Sequence, residues 1–335
     1  MKVLFDARWI GDHGIGRFAS EVLKRLPDVQ LLQDGLSPVN PIDTLWSSVK
    51  IALTRPTPDL YFTPGYTPPL WCDIPFIFTI HDLNHIDIPQ NSNFLKKLYY
   101  QWVILPACHR AFSVLTVSEF SRNRILKWSG LPPERVVNVS EGVDEQFQSV
   151  GTRHMPGYEY LLYVGNHKPH KNLPRLLDAF SLSGVQNRVK LIISGYAEPE
   201  LNQIIRSLNL EQSVIFAGVI PDDALPAFYR GALALIFPSL YEGFGLPALE
   251  AMACGTPVIT SNTTSLPEVV GDAAILVDPL SINEIAESIE RICRDKALRE
   301  TLRERGLRRA TMFSWDDVTI RIKTVLDKLE NWKKI

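Results

Sequence analysis

Short apolar runs rich in β-branched residues alternate along this chain with longer segments in which apolar residues recur at helical spacing. Such runs predict strands of buried parallel sheets, and the amphipathic segments between them predict covering helices. A polar stretch from Glu145 to Tyr158 reads as a linker and divides the strands into two series. The predicted strands are Val3–Phe5, Leu60–Phe62, Phe76–Ile80, Phe112–Val117 and Val136–Val139, then Tyr160–Val164, Lys190–Ser194, Val214–Ala217, Ala234–Phe237, Val258–Thr260 and Ala274–Val277.

Two α/β domains follow from this alternation, each with a doubly wound parallel sheet. The predicted domains span residues 1–148 and 149–314, and the length of 335 residues suits two ordinary cores. Residues 315–335 form one helical pattern, which we expect to pack back on the first domain. Doubly wound sheets bind ligands at the carboxyl ends of their strands, so two such domains facing each other would enclose a cleft.

Composition and charge exclude several classes of protein. The net charge of −2 gives no indication of nucleic-acid binding, and no apolar run approaches the ~20 residues that span a bilayer. The 4 cysteines lie far apart, which predicts reduced thiols in a cytoplasmic protein. No Asp-x-Asp triplet occurs, and carboxylate pairs of that kind commonly hold the metal of a sugar diphosphate. We therefore predict no essential divalent cation.

The most informative segment runs from Tyr241 to Thr260, directly after a predicted strand. Gly243 and Gly245 permit a tight loop with close approach of a ligand to the backbone. Pro247 suits the first turn of a helix and Gly255 its end. A glycine loop that leads into a helix N-terminus favours an anion such as a phosphate.

Two carboxylates accompany this loop, Glu242 before it and Glu250 within the helix. With a diphosphate at the helix N-terminus, one carboxylate can reach a sugar and the other the ribose hydroxyls. A pair of surface glutamates at a helix start is the alternative interpretation. The glycines, the proline and the preceding strand together favour the interpretation in which both glutamates bind a sugar nucleotide.

The pattern Glu-x7-Glu within Glu-Gly-Phe-Gly-Leu-Pro-x-Leu-Glu-Ala-Met-Ala-x-Gly-x-Pro-Val resembles the retaining GT-B glycosyltransferases of family four. This resemblance implies a GT-B fold and transfer of a sugar from a nucleotide sugar. It places Glu242 near the transferred sugar and Glu250 on the ribose. It implies that Gly245 and Leu246 donate backbone N–H groups to the diphosphate, and that Gly243 and Phe244 belong to the same donor-binding loop.

A basic loop follows the first strand of the second domain and resembles the lysine loop of the same family. The resemblance makes Lys171 a phosphate binder, and an ammonium suits a leaving diphosphate because it needs no fixed fork geometry. Many members have an arginine where this chain has Asn166. Lys168 is a candidate replacement for that charge. A solvated basic loop is the alternative interpretation.

Near the amino terminus, Asp6-Ala7-Arg8 and the loop of Gly14 and Gly16 resemble the family's first glycine loop, close to the donor phosphate and the acceptor. The spacing Gly14-x-Gly16-x-x-Ala19 also matches a dinucleotide fingerprint, which would indicate a dehydrogenase. In a true fingerprint the first glycine directly follows the strand. Here the loop is longer, which argues against that alternative.

Further positions follow from the resemblance. His81 ends a predicted strand where the family has a histidine on the donor sugar, with Asp82 as a weaker candidate. Glu141 stands where the family has an asparagine, and we assign it no chemistry. Gly218 and Val219 are expected beside the nucleotide base.

The sequence looks like the bacterial mannosyltransferase branch, which builds lipopolysaccharide O-antigen and other surface polysaccharides on lipid carriers. That favours GDP-mannose or a related GDP-deoxysugar as donor and a glycan or polyprenyl-linked saccharide as acceptor. The helix predicted at Phe94–Cys108, with Lys96 and Lys97, is a candidate contact with the inner face of the membrane or an ordinary packed helix. A UDP-sugar donor and a non-catalytic nucleotide-sugar-binding scaffold stay open as alternatives.

Overall fold

The computed structural model describes residues 1–11, 13–38, 40 and 42–332, with side chains to residue 331. Contacts divide the chain into two compact units, Met1–Gly142 with Ser314–Ile335, and Val143–Phe313. The chain passes from the first unit to the second after Gly142, before the predicted domain boundary at residue 148. The end of the predicted tail, residues 333–335, lies outside the described residues.

The first unit is built on a six-stranded parallel sheet with the order β2-β1-β3-β4-β5-β6. Each strand has four residues or fewer, and the central ones are fully buried, as expected of a sheet covered on both faces. Its strands are β1 (Val3–Asp6), β2 (Val29–Leu32), β3 (Leu60–Thr63), β4 (Phe76–Thr79), β5 (Ser113–Thr116) and β6 (Val136–Asn138).

Helices of the first unit connect these strands. A π-helical stretch at Tyr100–Ile104 lies between two of them, so the predicted helix at Phe94–Cys108 is one helical run with a wider turn inside it. The helices are α1 (Gly14–Arg25), α2 (Asp43–Leu53), α3 (Asn84–Asp87), α4 (Phe94–Tyr99), α5 (Leu105–Arg110), α6 (Glu119–Ser129) and, from the end of the chain, α14 (Trp315–Trp332).

The carboxyl-terminal helix α14 packs within this first unit. Trp315 is buried, and its ring lies 6.2 Å from that of Phe18. Arg25 on α1 donates from Nε to Asp316 Oδ1 at 2.8 Å. Helix α14 therefore completes the core on the α1 side of the sheet.

The second unit has a six-stranded parallel sheet with the order β12-β11-β10-β7-β8-β9. Its strands are β7 (Glu159–Tyr163), β8 (Val189–Ile193), β9 (Val214–Phe216), β10 (Ala234–Phe237), β11 (Val258–Ser261) and β12 (Ile275–Val277). Its helices are α7 (Leu173–Leu182), α8 (Pro199–Ser207), α9 (Leu225–Gly231), α10 (Leu246–Ala253), α11 (Leu266–Val270), α12 (Ile282–Arg294) and α13 (Lys296–Ala310).

The sequence pattern missed strand β2. This strand lies at the edge of the first sheet and only its last residue is buried, so it lacks the continuous apolar run of a central strand. All of the strands that the sequence pattern predicts are present. The predicted α/β class with two doubly wound parallel sheets is confirmed.

Candidate active site

The strand order of the second sheet places a ligand site between β7 and β10. From β7 the chain proceeds through β8 and β9 on one side, and from β10 through β11 and β12 on the other. The loops after β7 and β10 therefore diverge and leave a crevice at the carboxyl ends of the strands, which is where open α/β sheets bind ligands. These two loops carry Lys171 and Glu242.

The two side chains meet there. Lys171 Nζ donates to Glu242 Oε1 at 2.6 Å, and the side chains are only 13% and 12% exposed. The ammonium also lies 5.2 Å from the centre of the Phe237 ring. Two of the predicted catalytic groups are thus in direct contact at the switch point of the sheet.

Asn172, which follows the lysine, holds this loop in place. Its backbone is left-handed, with φ +65°. Its Nδ2 donates to the carbonyl oxygens of Pro238 at 2.9 Å and Pro279 at 2.7 Å. This buried amide ties the β7 loop to the loops after β10 and β12, and thereby sets the position of Lys171.

The loop Gly243–Leu246 enters α10 as predicted. Gly245 has φ +115°, a backbone conformation that favours glycine, and a Cβ there would lie 2.7 Å from Leu266 Cδ2, so the Leu266 side chain would also have to shift. Helix α10 begins at Leu246, which places the positive end of its dipole beside the loop. Gly243 and Phe244 are buried in the same loop.

Two residues that the sequence pattern did not single out support this loop from the turn just before α11. Ser265 Oγ lies 3.0 Å from the carbonyl oxygen of Glu242 and 2.9 Å from that of Phe244. Thr264 Oγ1 accepts a hydrogen bond from the Glu242 amide at 3.3 Å. The proline and glutamate after Ser265 marked a helix start, but nothing in the sequence indicated which loop this start would meet.

Glu250 lies inside the unit, with 3% exposure. The hydroxyl of Tyr229, on α9, donates to Glu250 Oε2 at 2.8 Å. The residue predicted to hold the ribose is therefore oriented by a buried tyrosine that the sequence reasoning did not select.

Loop residues Asn166 and Lys168 are exposed at the same edge of the sheet. Asn166 Oδ1 accepts from the Lys168 amide at 3.2 Å, and its carbonyl oxygen accepts from the Tyr163 hydroxyl at 2.8 Å. Asn166 thus shapes the loop. The charge of Lys168 is available to an anion, and its replacement of the usual arginine stays a prediction.

Gly218 and Val219 follow β9 at the carboxyl edge. Gly218 has φ +68° and pairs with Gly195 through two backbone hydrogen bonds, of 2.7 and 3.0 Å. Val219 and the neighbouring Tyr196 are both strongly exposed. Their assignment to the nucleotide base stays a prediction.

In the first unit, His81 follows β4 and is buried. Its Nε2 lies 2.9 Å from the carbonyl oxygen of Pro64, which can only accept, so Nε2 carries a hydrogen. Its Nδ1 lies 3.5 Å from Glu141 Oε1, and the Phe18 ring packs edge-on at 5.1 Å. Glu141, to which we assign no chemistry from the sequence alone, is therefore a direct neighbour of His81.

The amino-terminal glycines lie at the start of α1. The His13 side chain caps this helix and accepts from the Gly16 amide at 2.9 Å. A Cβ on Gly16 would lie 2.1 Å from the Gly11 carbonyl oxygen, whereas one on Gly14 would meet open space. Gly16 thus has a packing role, and donor binding by either glycine stays a prediction.

Arg8 belongs to a buried ionic network next to this loop. Its guanidinium contacts Asp6 at 2.7 Å and Asp43 at 2.5 Å, and the three side chains are at most 4% exposed. Burial alone would lower the pKa of Arg8, but the hydrogen bonds that its guanidinium donates to the two carboxylates outweigh it and raise that pKa above its ordinary value. Burial raises the pKa of Asp43. The network fixes the turn after β1.

Two absences concern the part of the chain that the structure describes. No helix there is long and apolar enough to cross a membrane. The described residues also hold no group of three or more His, Cys, Asp or Glu side chains arranged to bind a metal ion.

Family comparisons agree with this architecture. Residues 13–147 match the model of Glycosyltransferase Family 4, and residues 144–309 match that of the glycosyl transferases group 1. O-antigen chain mannosyltransferase B of Escherichia coli is 35% identical over 257 residues, which are 72% of this chain and 68% of that protein. The serotype-specific mannosyltransferase WbdA of Escherichia coli is 33% identical over 62% of this chain, and the match spans 27% of WbdA.

Among solved structures, HepE of Anabaena in complex with UDP and glucose superposes with a TM-score of 0.80 and 20% identity, over 98% of this chain and 99% of HepE. A likeness at this identity shows the fold, and it confirms the predicted GT-B architecture. Strand β1 ends at Asp6, well before Gly14, so the spacing that matches a dinucleotide fingerprint does not directly follow a strand. The chain is a glycosyltransferase and belongs to the family that these two models describe, glycosyltransferase family 4 and the glycosyl transferases group 1.

Proposed function

We propose that this enzyme transfers mannose, or a related deoxyhexose, from a GDP-sugar to a glycan or polyprenyl-linked saccharide with retention of the anomeric configuration. The product would enter a cell-surface polysaccharide. Support for the sugar and the pathway comes from relatives named as O-antigen and serotype-specific mannosyltransferases. Because WbdA is much longer than the matched segment, its name supports the class of reaction more than the number of transfers.

The contact between Lys171 and Glu242 is the observation that carries the proposal. It brings a cation and a carboxylate together at the switch point of the sheet, beside the N-terminus of α10. A diphosphate that lies against the helix N-terminus gains from its dipole and from backbone N–H groups. The ammonium of Lys171 supplies the charge that stabilises the same group as it leaves.

In the proposed reaction, the bond between the anomeric carbon and the diphosphate oxygen breaks as the acceptor oxygen bonds to that carbon on the same face. The acceptor hydroxyl loses its proton to the departing diphosphate oxygen, so charge and atoms balance without a separate base. Positive charge develops on the sugar ring during this step. Glu242, next to Lys171, is the group that we assign to orient the sugar and to stabilise that charge.

Two further assignments belong to the same proposal. Glu250, oriented by Tyr229, would accept hydrogen bonds from the ribose hydroxyls. His81, held by the Pro64 carbonyl, would contact the donor sugar. We also propose that no divalent cation is needed, because Lys171 and the N-terminus of α10 can neutralise the diphosphate.

A titration of the purified protein with GDP, GDP-mannose, UDP, UDP-glucose and NAD in EDTA tests the donor. A ligand at 100 times its dissociation constant stabilises the fold by about 2.7 kcal/mol, which thermal unfolding detects. We expect stabilisation by GDP and GDP-mannose. Stabilisation by the UDP ligands alone would replace the proposed donor with a UDP-sugar, and binding without transfer to any acceptor would favour the scaffold alternative.

Transfer itself is tested with GDP-mannose and an acceptor panel of lipid-linked and water-soluble saccharides. NMR of the product gives the anomeric configuration, and α-configured product from the α-configured donor is expected. Inverted product would exclude the proposed same-face displacement. Equal rates with EDTA and with added Mg²⁺ are expected, and a rate that collapses in EDTA would contradict the metal-free proposal.

A further inference from the structure

The helical run from α4 to α5 carries an exposed apolar ridge in the first unit, formed by Phe94, Leu95, Leu98 and Trp102. Phe94, Leu95 and Trp102 are each 73% exposed. Spacings of three and four residues place the four side chains on one side of the helix. The opposite side, with Tyr100 and Ile104, is buried in the core. Large apolar side chains exposed as a contiguous group indicate an interaction site.

A second exposed ridge runs along α2, formed by Leu45, Val49 and Leu53 at intervals of four residues. Trp71, itself exposed, lies beside α2, because its amide donates to Ser48 Oγ at 3.3 Å.

Hydrogen bonds tie this region to the helical run. Arg110, at the end of α5, donates from Nη2 to the carbonyl oxygen of Pro69 at 3.1 Å, and it also bonds Leu70. Leu70, which precedes Trp71, donates its amide hydrogen to Ser48 Oγ on α2 at 2.9 Å. Both ridges therefore belong to helical segments that bond to the same stretch of the first unit, residues 69–71.

Basic side chains surround the two ridges, although the whole chain has a net charge of −2. Lys96 and Lys97 are exposed within α4, and Arg55 and Arg110 are exposed near the ends of α2 and α5. Lys50, on α2, is partly exposed. An exposed carboxylate, Asp73, lies two residues after Trp71 in the chain. The surface combines apolar side chains with a local excess of positive charge.

We propose that this surface docks the enzyme on a bilayer that contains anionic phospholipid. The proposal rests on the proposed function, since a polyprenyl-linked acceptor is held in a membrane. Phe94, Leu95 and Leu98 enter the boundary between headgroups and acyl chains, and Trp102 lies at the interface, where tryptophan is enriched. Lys96 and Lys97 bind the anionic headgroups.

A second copy of the chain fits this surface less well than a bilayer does. Two copies that met through the same patch around a two-fold axis would place their lysines against each other. Like charges brought together in this way oppose association, whereas an anionic membrane attracts all of them at once. The positive charge thus discriminates between the two occupants.

The test is co-sedimentation of the purified protein with vesicles of phosphatidylcholine alone or with about 30 mol% phosphatidylglycerol, which gives the vesicle a negative surface potential. We expect binding to the anionic vesicles. Binding should be weaker in high salt, because salt screens the attraction between the basic side chains and the anionic headgroups. Replacement of Phe94 and Trp102 by serine, or of Lys96 and Lys97 by glutamate, should lower the affinity at least about tenfold.

Matched controls carry the same chemical changes elsewhere. Leu182 and Ile320 are 58% and 60% exposed, and replacing both by serine removes exposed apolar side chains from other places. Lys323→Glu with Lys328→Glu makes the same charge change on α14, where both lysines are exposed. The control variants should bind vesicles as the unchanged protein does.

The outcomes separate this proposal from the proposed function. Ridge variants should keep GDP-mannose stabilisation and transfer to a water-soluble acceptor. Failure of the unchanged protein to bind anionic vesicles, or ridge variants that bind as tightly as the controls, would overturn the docking surface and leave the donor chemistry intact. A dimer in sedimentation velocity that the ridge variants abolish would assign the surface to a second copy instead.

Discussion

Lys171 Nζ and Glu242 Oε1, which belong to residues 71 positions apart in the chain, form a 2.6 Å ion pair at the carboxyl ends of β7 and β10. The pair is mostly shielded from water, so its electrostatic interaction is stronger than that of a surface pair. It lies where the two halves of the second sheet diverge. A diphosphate bound there would meet a preformed cation beside a helix N-terminus.

Loss of this pair should affect transfer far more than folding. We expect Lys171→Met or Glu242→Gln to lower kcat by about 100-fold or more, because each removes charge that acts on the transition state. Their effects should be less than additive in the double variant, since the two groups act together. Kinetics with GDP-mannose, with circular dichroism as the check on folding, measures this. A well-folded variant that transfers at the normal rate would contradict the assigned roles.

Tyr229→Phe should weaken donor binding through Glu250. The change leaves a buried carboxylate without its hydroxyl donor, which should cost about 1–3 kcal/mol of stability. Donor affinity should fall about tenfold, because the ribose partner loses its orientation. Calorimetric titration with GDP measures the affinity.

The matched control is Tyr160→Phe, which removes a hydroxyl that donates to the Phe228 carbonyl at 2.7 Å in the same unit. It should reduce stability without a change in GDP affinity. Equal losses of affinity in the two variants would indicate a general effect of destabilisation.

Gly245→Ala should disrupt the loop that leads into α10. The added Cβ meets Leu266 and the φ of +115° is strained for alanine, so the loop must shift and GDP affinity should fall at least tenfold. Gly184→Ala is the control, since that glycine has φ +69° and open space around a Cβ. The control should lose only about 1 kcal/mol, with unchanged GDP binding. Unaltered affinity in Gly245→Ala would show that the loop does not bind the diphosphate.

Arg8→Met should destabilise the first unit by about 3 kcal/mol or more, because it leaves the buried Asp6 and Asp43 without their cation. Burial already raises the pKa of Asp43, and loss of Arg8 should raise it further. A carboxyl whose folded pKa is raised contributes stability at low pH and loses it as the pH rises. The difference in unfolding free energy between the unchanged protein and the variant should therefore shrink on acidification from pH 7 towards pH 5.

Urea unfolding at several pH values measures this deficit. Arg124→Met, which removes a more exposed partner of Asp87, should cost no more than about 1 kcal/mol. A deficit of Arg8→Met that grows on acidification would contradict the assigned role of the network.

The amino-acid sequence by itself determined the elements whose signals are local. Buried strands such as β7 and β10 are short apolar runs, and the glycine loop at Gly245 combines a required φ with a helix start, so neighbouring residues suffice to predict them. The motif around Glu242 and Glu250 likewise lies within one loop and one helix. An edge strand such as β2 lacks the apolar signal and was missed for that reason.

Tertiary structure alone decided which of these pieces touch. The order of the strands brings Lys171 to Glu242, Ser265 under the glycine loop, Tyr229 to Glu250 and Glu141 to His81. The exposure of Phe94 and Trp102 is equally a tertiary result, because an apolar residue in a helix does not reveal which face the core covers. Pairings of this kind join residues far apart in the chain. They depend on sheet order and packing, which no local pattern encodes.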